Sequence, residues 1–344
     1  MSHNITMKNG KAEMAYVGET PWHGLGQELQ RGASIETWCQ AAGMDWKVQR
    51  SKVRYFADKN GAQQLEWPDK HVLFRSDTQA PLGVVSDHYK VVQPKEVLEF
   101  FRDLTTQNKF SLETAGTLKG GAIYWGLAKI HEDAEVGPGD QMKGYVLLST
   151  SADGSRPSNA KDTTVRVVCN NTLSAADAEK GKSEVRVSHR SVFDVDAVKS
   201  DLGIARDSFE RFMVSARQLA KRKMSPQDMA EFTLRMLGGF VAGTPGLRTP
   251  NDTMYAGSNF EKFQEVLASK HAQGIATLYA GSGRGASLPT AKGTAWGAVN
   301  AVTEYVDYYY PARSDDNRLL SAWFGQGMRL KDKALALGLE YANA

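Results

Sequence analysis

The sequence predicts an α+β protein, with an antiparallel, sheet-rich N-terminal half that carries a basic hairpin and a helical C-terminal half. Three observations predict it. Short segments of the first half alternate apolar and polar residues as half-buried strands do. From about residue 195 the apolar spacing changes to the period of helices, near 3.6 residues. Strand-like and helix-like segments are segregated along the chain, which argues against alternating βαβ units. The 344 residues suffice for one large core or two smaller ones. The expected division is a sheet-rich core domain over 1–195 and a helical region over 196–344 packing on it, with a Gly-rich loop near 281–293.

In chain order, Trp46-Lys47-Val48 and Val53-Arg54-Tyr55-Phe56 read as strands flanking a basic turn, and Val72-Leu73-Phe74-Arg75 precedes Leu82-Gly83-Val84-Val85. Strands follow at 121–130, 144–151 and 163–169, and the last is expected to form one hairpin with 185–189. Asp58-Lys59-Asn60-Gly61 and Gly137-Pro138-Gly139-Asp140 are hairpin-turn sequences. Pro68-Asp69-Lys70 resembles a nuclease string but reads better as a turn. Two helices interrupt this half. Ser34 caps one through Ala42, and Pro94 opens another with Val97, Leu98, Phe101 and Leu104 on one face.

In the second half, Leu202, Ala205, Phe209, Phe212, Ala216 and Leu219 form one apolar stripe. Ser225-Pro226-Gln227-Asp228 has the chemistry of a helix start and Gly238-Gly239 that of a stop. Phe260, Phe263 and Leu267 predict a further helix; Trp296, Val299, Val302 and Val306 predict another. Gly281-Ser282-Gly283-Arg284-Gly285 reads as a mobile loop.

Composition excludes several classes. No run of about 18 apolar residues exists, so no membrane span is expected, and the first residues lack a secretory apolar core. The two cysteines, Cys39 and Cys169, have no metal or disulfide spacing, which fits a cytoplasmic location. Net charge is only +3. The seven histidines form no H-x-x-x-H or H-x-H pair, so no metal is expected. Gly181-Lys182-Ser183 ends like a phosphate loop, but Ala176 stands where that loop needs glycine, so no nucleotide cofactor is expected. Cys169 lies in an apolar strand and no G-x-S-x-G elbow occurs, which leaves no nucleophile to name.

Two features point to nucleic acid. In Pro21-Trp22-His23-Gly24-Leu25-Gly26, Trp22 and His23 on a tight turn could stack a base and grip a phosphate; the competing reading makes Trp22 a core plug. Basic residues are the second. Arg211, Arg217, Lys221, Arg222 and Lys223 occur without an acid among them, and Arg166, Arg186, His189 and Arg190 lie on or beside the expected hairpin. Such residues can follow a phosphate backbone, or merely form a solvated face and a helix C-terminus favoured by the dipole.

Several strings resemble a phage- and plasmid-like family known as domain of unknown function 932. They are 19–26 (ETPWHGLG), 81–89 (PLGVVSDHY), 113–118 (ETAGTL) with Gly121, 166–173 (RVVCNNTL) and 294–305 (TAWGAVNAVTEY). The resemblance implies a bacterial mobile element and supplies no catalytic residue. A second resemblance is one of architecture. A curved antiparallel sheet with a basic hairpin, crossed and followed by helices, is similar to the phage single-strand annealing proteins of the Red-beta, RecT and Erf groups.

The expected function is therefore single-stranded DNA binding and annealing without ATP, by a homo-oligomeric ring or filament that works with phage or host recombination proteins. Arg166, Arg186, His189, Arg190, Arg217, Lys221, Arg222 and Lys223 would hold phosphates, and Trp22, Tyr55 or Tyr89 would stack bases. Two alternatives stand beside it. One is a magnesium-dependent DNA-processing enzyme using carboxylates such as Glu113 and Asp153; the other is an anti-defence protein that binds a host protein.

Overall fold

A computed structural model describes residues 5–18, 21, 24–58, 63–106, 110–166, 171–174, 184–189, 194, 205–237, 260–312 and 315–344. The protein is α+β, with mostly antiparallel sheets in the N-terminal half and helices in the C-terminal region. Two compact units divide the chain. The first comprises Met1–His131, Gly144–Asp162 and Lys182–Arg206; the second comprises Glu132–Lys143, Thr163–Gly181 and Asp207–Ala344.

The larger sheet contains β3 (Met14–Tyr16), β4 (Gln27–Glu28), β8 (Phe110–Leu118), β9 (Ile123–Gly137), β10 (Asp140–Ser151), β11 (Ser158–Arg166), β12 (Asn171–Ser174) and β13 (Glu184–Val187). Its order is β12-β11-β10-β9-β8-β3-β4, with β13 also on β11. A small ladder of β1 (Met7–Lys8) and β2 (Lys11–Ala12) precedes it. A separate three-stranded sheet has the order β5-β6-β7, from β5 (Val48–Phe56), β6 (Gln64–Arg75) and β7 (Pro81–Ser86).

In the first unit, α1 (Ile35–Ala41) starts where Ser34 Oγ accepts from Thr37 N–H. The second helix, α2 (Pro94–Thr106), buries Val97, Leu98, Phe100 and Phe101 completely. A Cβ on Gly126 of β9 would lie 2.8 Å from the Phe101 ring, so the missing side chain is what admits α2 to the sheet.

The second unit holds α3 (Ala205–Lys221), α4 (Pro226–Leu237), α5 (Phe260–Ala268), α6 (Lys270–Thr277), α7 (Ala295–Glu304), α8 (Asp315–Phe324) and α9 (Gln326–Asn343). The predicted stripe of α3 is buried at Phe209, Phe212, Ala216 and Leu219; Leu202 lies outside the described residues. The start of α4 is a reciprocal cap, with Ser225 N–H donating to Asp228 Oδ2 at 2.9 Å and Asp228 N–H to Ser225 Oγ at 3.1 Å. Gly238 and Gly239, the expected stop, lie outside the described residues.

Three expectations are corrected. The segment 46–56 is not two strands around a basic turn, because β5 runs unbroken from Val48 to Phe56. The segment 163–169 does not form a hairpin with 185–189. The last part of β11 pairs with β12 (Arg166 opposite Asn171), whereas β13 pairs with its start (Arg186 opposite Asn159). Gly281 to Gly285 is a bonded turn rather than a mobile loop. The chain leaves α6 through one wider turn, Gly283 N–H donates to Leu278 O at 3.1 Å, and Arg284 N–H donates to Glu304 Oε2 at 2.9 Å. Its glycines supply backbone geometry, with φ of 143° at Gly281 and 69° at Gly285.

Candidate nucleic-acid interface

Exposed aromatic and basic side chains occur together on the β5–β6 hairpin. Register explains why. Lys52 pairs with His71 and Arg54 with Glu66, so β5 advances two residues while β6 goes back five. The three extra residues form a bulge within 67–70, where Pro68 has no N–H to give and Asp69 has a φ of 58°. The string read as a turn at 68–70 is thus an irregularity inside a strand. At the same level β7 ends, its last pair being Lys70 with Ser86. Beyond that point the hairpin is a two-stranded arm, and Arg54, Tyr55, Phe56, Gln64, Leu65, Glu66 and Trp67 are all exposed.

The arm's aromatic exposure is large: 61% for Phe56, 51% for Trp67 and 47% for Tyr55. Side chains alternate along a strand, so Arg50, Lys52, Arg54 and Phe56 project from one face of β5, about 6.8 Å apart. The opposite face carries the cross-strand pair Tyr55–Leu65. Two of the three cations have acidic neighbours. Arg54 pairs with Glu66 at 3.0 Å, and Arg50 approaches Asp87 at 3.4 Å beside a 2.6 Å contact from His71 Nδ1 to the same carboxylate. Exposed pairs of this kind are worth about 0–1 kcal/mol, so a phosphate can displace the carboxylate.

The base of the arm is rigidly anchored. Arg75, at the end of β6 and 2% exposed, makes a bidentate pair with buried Glu13 at 2.5 and 2.8 Å. It makes a second bidentate pair with Asp77, both bonds 2.9 Å, and its Nη1 also donates to Gly120 O at 3.2 Å. The Trp46 ring lies 4.3 Å from the guanidinium, and Thr117 Oγ1 donates to Glu13 at 2.6 Å. Burial alone would lower the Arg75 pKa, but the hydrogen bonds to Glu13 and Asp77 raise it above the ordinary value. Burial would likewise raise Asp77, yet hydrogen bonds from Arg75 and Lys8 hold its carboxyl well below the usual aspartate range.

The residues singled out from sequence fall in both units. Trp22, His23 and Arg190 lie outside the described residues. Tyr89 stacks on His189 with ring centroids 4.3 Å apart, and its hydroxyl donates to Ser151 O at 2.6 Å. Burial pushes its phenol up to about 12. The His189 ring nitrogens face Lys90 O at 3.0 Å and Arg156 O at 2.8 Å. These two residues therefore meet, but one face of the Tyr89 ring is taken. Arg186 is exposed on β13. Arg166 ends β11, where it pairs with Asn171.

On α3, Arg217 donates twice to Glu135 O, at 3.1 and 2.9 Å. Arg222 donates to Tyr341 O and Lys223 O, both at 2.8 Å, and stands 3.8 Å from Asp228. Lys221 and Lys223 are exposed. Tyr89, Arg186 and His189 belong to the first unit; Arg166, Arg217, Lys221, Arg222 and Lys223 belong to the second. Glu113 accepts from the Tyr145 hydroxyl at 2.8 Å and Asp153 from Ser155 N–H at 2.8 Å. Among the described residues, no three His, Cys, Asp or Glu side chains group as metal ligands would.

Of the exposed residues on the arm, only Tyr55 is named from sequence, as one candidate for stacking; Phe56, Trp67 and the Arg50–Lys52–Arg54 row are left out. A usable signal existed: Lys47 to Tyr55 holds four cations and no acid, as dense as the run on α3.

The family model described as Domain of unknown function (DUF932) matches residues 81–323, more than half of the chain, so the match begins at β7 and the arm lies before it. No curated protein and no solved structure matches.

Proposed function

We propose that this chain, which belongs to the DUF932 family, binds single-stranded DNA without a nucleotide cofactor, in the service of a bacterial phage or plasmid. The observation that carries the reading is the arm. Three cations in a row on one strand face, together with Phe56, Tyr55 and Trp67 held in solvent, combine the two things a single strand offers. Its phosphates meet the cations, and its unpaired bases stack on aromatic rings. A duplex hides its base faces, so stacking of this kind selects single strands. The exposed cations Arg186, Lys221 and Lys223 add to the electrostatic attraction.

Annealing and a ring- or filament-forming homo-oligomer belong to the same proposal and rest on the architectural analogy with phage annealing proteins. A cytoplasmic location in the bacterial host and recombination proteins as partners follow from that role. Fluorescence anisotropy with labelled oligothymidine and with a duplex of equal length, repeated at several salt concentrations, tests the binding. The reading requires a preference for the single strand and an affinity that falls linearly in log–log plots against salt. Equal affinity for duplex, or none for either, refutes it. Light scattering with and without oligonucleotide tests assembly; a species of 37.7 kDa alone in both cases removes the annealing part.

A further inference from the structure

The outer edge of β5 is an unpaired strand edge, and the structure itself contains a small-scale example of something docking on it. Among the described residues β5 pairs only with β6. At its first residue, the Gln93 side-chain amide lies along the free edge. Val48 N–H donates to Gln93 Oε1 at 2.8 Å, and Gln93 Nε2 donates back to Val48 O at 3.3 Å. That reciprocal pair is what a peptide group of a neighbouring strand would make.

Alternation then fixes the rest of the edge. Lys47 O accepts from Ser76 N–H and Ala57 N–H donates to Gln63 O, so the odd-numbered residues turn their polar groups toward β6. The even-numbered residues after Val48, namely Arg50, Lys52, Arg54 and Phe56, direct N–H and C=O outward. The same residues carry the cationic row. Charge at an edge normally guards against unwanted pairing. Here it is selective. A second copy pairing antiparallel through β5 would set Arg50 against Arg54 and Lys52 against Lys52, an arrangement destabilised by like charges directly opposite one another. Acidic residues on an added strand would face those cations instead.

We propose that β5 accepts an extended acidic segment of a protein partner as an additional strand. Main-chain hydrogen bonds along the edge supply the attachment, and carboxylates opposite Arg50, Lys52 and Arg54 select the sequence. Because these cations also belong to the proposed DNA face, the peptide and a single strand exclude one another, which gives a partner protein a means of unloading DNA.

The test uses the full chain and a fluorescein-labelled octapeptide of alternating Glu and Val. Two controls accompany it: an alternating Lys–Val peptide, and the Glu–Val peptide N-methylated at its glutamates, which keeps the charge and removes the donors. Saturable binding of the Glu–Val peptide is expected, with none of the Lys–Val peptide and at least about tenfold weaker binding of the N-methylated one. Lys52→Pro, which removes an outward N–H not used by the sheet, should bind at least about tenfold more weakly than Lys52→Ala. If the proline variant does not fold, the N-methylated peptide carries the comparison. Oligothymidine should displace the peptide. The proposal is overturned if the N-methylated or Lys–Val peptide binds as well as the Glu–Val peptide, if the Glu–Val peptide does not bind, or if peptide and DNA bind together. A self-associated protein that Lys52→Pro dissociates also overturns it, since the edge is then occupied by a second copy. Should oligothymidine fail to bind at all, the peptide measurements stand by themselves and only the DNA reading falls.

Discussion

Two segments of this chain carry the same message in sequence and opposite ones in structure. Lys47 to Tyr55 and Arg211 to Lys223 are both rich in cations and free of acids. In the second segment two arginines are bound to the protein's own backbone, Arg217 of α3 to Glu135 O and Arg222, just past its end, to Tyr341 O. On β5, Arg54 meets the exposed Glu66 carboxylate, Arg50 meets exposed Asp87 and makes one bond of 3.2 Å to Ser86 O, and uncovered aromatic rings stand beside them. A guanidinium already satisfied by carbonyl oxygens fastens elements together, whereas one held by a surface pair remains exchangeable. Cation density alone therefore does not locate a binding face; the partners each cation has already found decide it.

The largest expected effect sharpens the anchored side of this contrast. Arg75→Ala leaves the buried Glu13 carboxylate without its partner and should destabilise the first unit by about 3–5 kcal/mol in denaturant unfolding. Unchanged stability would mean that the arm does not depend on that network. The same network sets an acid limit. Asp77 is held below its ordinary pKa, so its contribution is complete at neutral pH and declines as the pH falls below about 4. A melting temperature that drops less steeply on acidification in Asp77→Asn than in the wild type is the expected sign; parallel curves contradict it.

Next in size are the aromatic residues. Trp67→Ala and Phe56→Ala should each weaken oligothymidine binding by about 1–3 kcal/mol while leaving the melting temperature unchanged, because neither ring is in the core. Arg222→Ala should behave in the reverse way, losing about 1 kcal/mol of stability with little change in DNA affinity. The smallest effect is on salt dependence: Lys52→Ala should lower the slope of log affinity against log salt by roughly 0.7, and Arg217→Ala should not. Matching slopes in these two variants would erase the distinction between strand and helix.

How much of this was legible depended on whether the deciding contacts are local. The caps at Ser34 and Ser225 are three-residue interactions, and both were readable. The α2 face was equally readable, since one stripe meets one sheet. By contrast, α9 was not foreseen, although Leu330, Ala334, Leu337 and Tyr341 recur at helical spacing; buried Lys331, paired with Asp307 at 2.8 Å, and the small residues Gly327 and Gly338 dilute that stripe. Residues 295–304 of α7 are buried on every side, which conceals its extent. The arm was hidden for a further reason. Whether Trp67 is covered depends on a bulge in β6 and on where β7 stops, neither of which is encoded near Trp67. The strand partners of β11 were misassigned because Asn171 to Ser174 intervenes and takes the end of β11 first.

The central claim is that the arm, and not the basic end of α3, engages single-stranded DNA. The most direct measurement compares oligothymidine affinity in two double variants, Phe56→Ala with Trp67→Ala on the arm and Arg217→Ala with Arg222→Ala on the helix, at one salt concentration and with unfolding curves alongside. The account predicts that the arm variant loses at least about thirtyfold in affinity while melting like the wild type, and that the helix variant binds within about threefold of the wild type. Wild-type affinity in a folded arm variant, or a large loss in the helix variant at unchanged stability, would contradict it.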